Sequence, residues 1–157
     1  QPLWAPRPGE VATFEALLRW HNPELGMVSP ERFIPVAEEV GLIVPIGGWV
    51  LDESCRQAAA WSRRYGQPVR LAVNVSPVQL GRDDFIPTVA EALARHRLPA
   101  AQLELELTEK VVVRNLEAAG CKMAELRAMG VRLALDDFGA GHSALSYLLR
   151  LPLTTLK

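Results

Sequence analysis

The chain has 157 residues and a formal net charge of −1, with 17 Lys and Arg against 18 Asp and Glu. That balance excludes the basic footprint of a protein that binds DNA or RNA polymers, so any anionic ligand must be held by a local site and not by a general field. The length suits one sizeable core, and 49% apolar with 22% charged residues is ordinary for a globular domain.

Val11 to Arg19 reads as a strand, mostly apolar and broken by Glu15. Ser29-Pro30 is a helix start, a cap residue followed by proline in the first turn, and that helix runs to about Glu39. A longer helix extends from near Gly48 to Tyr65 and stops at Gly66. Val69 to Val75 is the next strand, with Asn74 near its end. Asp84 to Arg95 is an amphipathic helix carrying Phe85, Ile86, Val89 and Leu93 on one side. Gln102 to Leu107 alternates strictly, with Leu103, Leu105 and Leu107 against Glu104, Glu106 and Thr108. Asn115 to Met129 is helical and Gly130 closes it. The strand Val131 to Leu135, a short helix from about Ser143 to Leu149, and a last strand beginning near Thr154 complete the order.

No apolar run reaches the roughly eighteen residues that a bilayer crossing needs; the stretch from Gly41 to Leu51 is interrupted by Pro45, Gly47 and Gly48. The first residues lack the charged-then-apolar pattern of a signal peptide, so a cytoplasmic domain without membrane contact of its own is expected. A membrane anchor, if the parent protein has one, would belong to another domain. Cys55 and Cys121 fall in predicted helices without metal-ligand spacing and are expected to be buried free thiols. His21 and His96 are expected at the surface.

Helices between strands argue for a parallel sheet. Each strand delivers a chemically capable side chain late in its run: Glu15, Asn74, Glu106, Asp136 and Lys157. A doubly wound sheet gathers ligands at one switch point, whereas a (β/α)₈ barrel brings every strand end to one mouth. The expectation is an α/β fold, a TIM-like (β/α)₈ barrel. Such a barrel takes about 250 residues, so residues 1–157 are expected to supply its first five strands and to be inactive and poorly folded alone.

The strand before Asp136 ends in two adjacent carboxylates, Asp136 and Asp137, followed by the turn Gly139-Ala140-Gly141. Adjacent acids repel, and burying either is costly without a cation or donor. Asp137-Phe138-Gly139 spells a kinase triplet, but no HRD loop or strand-lysine pattern precedes it. Gly139 to Ala144 fits a dinucleotide-binding pattern, yet a pyrophosphate beside two carboxylates is electrostatically wrong without a metal. An all-oxygen set of Glu15, Asn74, Glu106, Asp136 and Asp137 suits Mg²⁺ or Mn²⁺, two ions if Asp136 bridges. Spacing alone leaves a second reading open, in which Glu104, Glu106 and Glu109 are a solvated strand face.

Phe14-Glu15-Ala16-Leu17-Leu18-Arg19-Trp20 resembles the signature of the EAL domains, bacterial cyclic di-GMP phosphodiesterases. Ordered likenesses follow at Ser29 to Glu39, Ala72-Val73-Asn74-Val75-Ser76, Leu105-Glu106-Leu107-Thr108-Glu109, Asp136 to Gly141, and Leu151 to Lys157. The resemblance implies a TIM-like barrel that hydrolyses cyclic di-GMP to linear pGpG with Mg²⁺ or Mn²⁺. By matching position, Glu15, Asn74, Glu106 and Asp136 hold metal and Asp137 the second ion. Glu15 and Lys157 are catalytic, Lys157 by holding the attacking water. Leu18 and Arg19 contact substrate, and Glu109 orders the loop from Asp137 to Ser143. Ala140 and His142 depart from the family's threonine and tyrosine, which bears on the second ion. The resemblance also implies homodimers and an attached sensory or diguanylate-cyclase-like domain. The competing reading is an EAL-like module that binds the dinucleotide or a protein partner without turnover, and a third is a structural piece with no activity of its own.

Overall fold

The computed structural model describes residues 1–4, 11–108, 116–136 and 151–156. In chain order the first elements are β1 (Pro2–Trp4), β2 (Val11–Ala16), β3 (Trp20–Asn22), β4 (Gly26–Val28), α1 (Pro30–Glu39) and α2 (Ile43–Tyr65). Then follow β5 (Leu71–Val75), α3 (Pro77–Gly81), α4 (Phe85–His96), β6 (Leu103–Thr108), α5 (Leu116–Ala128), β7 (Arg132–Asp136) and β8 (Thr155–Leu156). Strands β2, β5, β6, β7 and β8 are parallel neighbours in that order, and β1 pairs antiparallel with the free side of β2. An order that never reverses has no switch point, so the sheet is an arc of a barrel and not a doubly wound sheet.

Period-two alternation divides the arc into two faces. Leu71, Val73 and Val75, then Leu103, Leu105 and Leu107, then Leu133 and Leu135 form one core with Leu51, Cys55, Ala58, Val89, Leu93, Met123 and Leu126 of the helices. The opposite face carries the polar residues of the same strands.

The strand expected over Val11 to Arg19 stops at Ala16, and the short hairpin β3–β4 follows. Asn22 makes the hairpin turn: its side-chain oxygen accepts from the backbone N–H of Glu24 at 2.8 Å and of Leu25 at 3.0 Å. Helix α2 starts at Ile43, before the position near Gly48 that the glycines and Pro45 suggest. Pro45 is tolerated because first-turn N–H groups lack partners within the helix. Gly47 is there for close approach, since a Cβ at that position would lie 1.8 Å from Nε2 of Gln79. The helix ends where expected, at Gly66 with φ of 66°.

Two surface expectations need correction. Cys55 is buried, and burial pushes its thiol up to about 12, but Cys121 is exposed. His96 is half-buried between helices, with Nε2 2.9 Å from Oδ1 of Asp52, which also accepts from Arg95 at 2.8 Å. Partial burial opposes ionisation of Asp52, and these two partners outweigh it and hold the carboxyl below its usual range. No helix among the described residues is long and apolar enough to cross a membrane. The short helix expected from Ser143 to Leu149 lies outside the described residues.

Helix α3 is closed at its C-terminal end from across the fold. Nζ of Lys122, on α5, donates to the carbonyl oxygens of Leu80 (3.0 Å), Gly81 (3.0 Å) and Arg82 (2.7 Å). Lys122→Met keeps the apolar stem and removes the donor, and it is expected to lower unfolding free energy by about 1–3 kcal/mol in urea titration. An unchanged midpoint would show that water satisfies those carbonyls equally well.

Candidate functional site

The polar face of the arc is built by register. Glu15 pairs with Ala72, which pairs with Glu104, which pairs with Arg132. Two residues further along, Asn74 pairs with Glu106 and Glu106 with Ala134; another two along, Thr108 pairs with Asp136. The expected ligand positions Glu15, Asn74, Glu106 and Asp136 therefore climb the ladder by two, zero and two residues across four strands. Strand tilt in an eight-stranded barrel of shear 8 requires a climb of about one residue per strand for side chains to share a height. The four side chains belong to one tier at the C-terminal end of the arc.

Within that tier the Nδ2 of Asn74 donates to Oε1 of Glu15 at 2.9 Å. That bond fixes the amide's sense, which leaves its carbonyl oxygen as a possible hard donor. Asn74 is exposed, Glu15 and Asp136 are half-buried, and Glu106 is only 2% exposed. Glu106 is thus no part of a solvated strand face, and neither is Glu104 at 4%. Both belong to the barrel interior because the leucines between them occupy the helix-facing side.

Below the tier, Glu104 is met by Nε of Arg132 at 3.1 Å. Nothing in the reading of the sequence singled out Arg132. The available signal was one arginine in the otherwise apolar run ahead of Asp136, at the parity that faces Glu104 once β6 and β7 pair.

A cavity of about 390 Å³ opens beside the tier, and Leu18, Arg19, Asn74 and Thr108 are among its lining residues. Arg19 is exposed and uses Nη1 to donate to the carbonyl oxygen of Leu18 at 2.8 Å. The remaining guanidinium donors form a fork suited to phosphate oxygens. A larger groove of about 710 Å³ lies between the hairpin and helices α1 and α2, lined by Trp20, Phe33 and Trp49, with Arg19 and Arg32 its only charged members among the described residues. Size alone would favour the groove, but the oxygen donors of the tier belong to the strand ends.

The donor set consists of carboxylate and carboxamide oxygens, the chemistry that Mg²⁺ and Mn²⁺ accept. Among the described residues no three His, Cys, Asp or Glu side chains close into one cluster, so the described acids alone make no complete shell. Asp137, Glu109 and Lys157, together with Ala140 and His142, lie outside the described residues.

The family model described as EAL domain matches residues 1–157. An uncharacterized signaling protein of Caulobacter vibrioides is 46% identical over the whole chain, which covers 19% of that protein. The bifunctional diguanylate cyclase/cyclic di-GMP phosphodiesterase MucR of Pseudomonas aeruginosa is 44% identical over 95% of the chain, covering 22% of MucR. A solved structure of the PaMucR phosphodiesterase in complex with c-di-GMP superposes with a TM-score of 0.90 at 44% identity, over 94% of this chain and 60% of that one. The chain thus spans about a fifth of the length of these curated relatives.

The Glu104–Arg132 pair yields a prediction that is independent of any ligand. Arg132→Met removes the cation from a buried carboxylate and is expected to destabilise by roughly 3–5 kcal/mol, read from chemical denaturation. A loss under about 1 kcal/mol would mean that the pair behaves like a surface ion pair.

Proposed function

Because the chain belongs to the EAL domain family, whose fold is a TIM-like barrel, we propose that it is part of a phosphodiesterase that hydrolyses cyclic di-GMP to linear pGpG. At the family level the activity is cyclic di-GMP phosphodiesterase; its assignment to this protein is our reading. The observation that supports it most is the single tier of Glu15, Asn74, Glu106 and Asp136 at the strand ends, with Asn74 bonded to Glu15. The five-strand arc and the 60% coverage of the PaMucR chain support reading residues 1–157 as one part of a longer barrel.

In this reading Glu15, Asn74, Glu106 and Asp136 hold Mg²⁺ or Mn²⁺, and Asp137 serves a second ion. Bound there, such ions lower the pKa of water and offset charge at an in-line phosphoryl displacement. Lys157 orients the attacking water and helps remove its proton. Water oxygen bonds to phosphorus, the P–O3′ bond breaks, and the released 3′ oxygen takes a proton to leave a linear dinucleotide. Arg19 presents its fork to the phosphate, held in place by its bond to the Leu18 carbonyl, while Leu18 adds apolar contact. Glu106 sits deepest, shielded from bulk water by the barrel wall. Glu109 orders the loop after Asp137, in which Ala140 and His142 are the departures that bear on the second ion. A homodimer and an attached sensory or cyclase-like domain accompany the reading, in a cytoplasmic setting.

The complete domain, incubated with cyclic di-GMP and Mn²⁺ and followed by chromatography, is expected to yield pGpG. Glu15→Ala should abolish turnover; unchanged turnover would refute the site. Micromolar binding without turnover would instead establish a sensor. Arg19→Ala should raise KM about tenfold or more, the loss expected for charge-assisted hydrogen bonds, with a smaller effect on kcat. An unaltered KM would remove Arg19 from the phosphate site.

A further inference from the structure

Asn74 is the penultimate residue of β5, so the direction of its amide depends on how the chain leaves the strand. It leaves through Ser76, which is bonded three times over. The Ser76 hydroxyl accepts from the backbone N–H of Val78 at 3.1 Å and donates its one proton to Oε1 of Glu38 at 2.5 Å. The Ser76 backbone N–H donates to Oε1 of Gln79 at 3.2 Å, which completes a capping box at the start of α3. Gln79 is only 5% exposed, and its amide fills the space that a Cβ on Gly47 would need, with contacts of 1.8 Å to Nε2 and 2.3 Å to Cδ. Helices α1 through Glu38 and α3 through Gln79 therefore meet on one residue, two positions past Asn74, and α2 backs Gln79 through Gly47.

We propose that Glu38, Ser76 and Gln79 are positioning residues that hold the end of β5 so that the Asn74 amide faces Glu15. The inference rests on the phosphodiesterase reading for its consequence, because Asn74 and Glu15 are the proposed metal ligands. All three line the cavity that Leu18 and Arg19 also line, and the role assigned to each is to act through Asn74. Groups behind a ligand that fix its orientation commonly matter to metal affinity by 10- to 100-fold. Glu38 also ties α1 to the cavity wall that Leu18 and Arg19 share with Asn74, so one carboxylate couples both halves of the site.

The test is Mn²⁺ affinity of the complete domain without substrate, followed by electron paramagnetic resonance. Glu38→Ala and Ser76→Ala should each weaken binding by about tenfold or more. Glu38→Gln retains an oxygen that accepts from Ser76 and should restore most of the affinity. Gly47→Ala pushes Gln79 off Ser76 without altering any hydroxyl or carboxylate, and it should reproduce the loss even where Glu38→Ala fails to fold. Lys122→Met loosens the same helix α3 from its far end and should leave affinity unchanged, which separates positioning from stability. Affinity within about twofold of the parent in Ser76→Ala and Gly47→Ala, or an equal loss in Glu38→Gln and Lys122→Met, would overturn the proposal, being outside the range that orienting groups show. Absence of Mn²⁺ binding in the parent, with Glu15→Ala likewise without effect, would overturn the metal reading and this inference together. Loss in Glu15→Ala alone would leave the first standing and remove the second.

Discussion

The structure depends on the parity of one strand. Leu103, Leu105 and Leu107 of β6 are at most 1% exposed against the helices, so Glu104 and Glu106 must face the barrel interior. A slip of one residue would exchange the two sets, forfeiting roughly 5–9 kcal/mol of burial from the three leucines and driving carboxylates into an apolar layer. Hydrophobic burial thereby dictates where the acids go. β6 is also the central strand of the described arc, paired in register over five residues on each side. Its parity is passed to Asn74 on β5 and to Arg132 and Asp136 on β7.

The interior is not uniformly acidic. Arg132 faces Glu104 one layer below the tier that carries Glu15, Asn74, Glu106 and Asp136. The ion pair stabilises the wall below, and the oxygen donors stand above it at the strand ends. That division suits a site for a divalent ion and, through the ion, for a phosphodiester. Arg19 adds the positive group at the rim, where it is exposed and already oriented by the Leu18 carbonyl.

Much of this was legible in the sequence because it follows from local periodicity. The alternation of Gln102 to Leu107, the glycine stops at Gly66 and Gly130, and the late polar residues of β2, β5, β6 and β7 carried through to β6, α2, α5 and the tier, while Lys157 lies outside the described residues. What escaped was set by contacts between distant segments. Gly47 and Gly48 read as a break because glycine disfavours helices, yet Gly47 serves the packing of Gln79 against α2. The hairpin β3–β4 and helix α3 are too short to leave a periodic trace, and each is fixed by one side chain, Asn22 or Ser76. His96 looked like a surface residue because its partner, Asp52, lies on another helix. Whether Glu104 and Glu106 were solvated could not be decided from spacing, since alternation shows two faces but not which one is buried.

The central claim is that the four strand-end residues share a divalent ion. Anomalous diffraction at the manganese edge, from crystals of the complete domain grown with Mn²⁺, addresses it most directly. The account predicts a peak about 2.1 Å from oxygen atoms of Glu15, Asn74, Glu106 and Asp136. A manganese peak elsewhere, or none at the tier with those side chains well ordered, would contradict it.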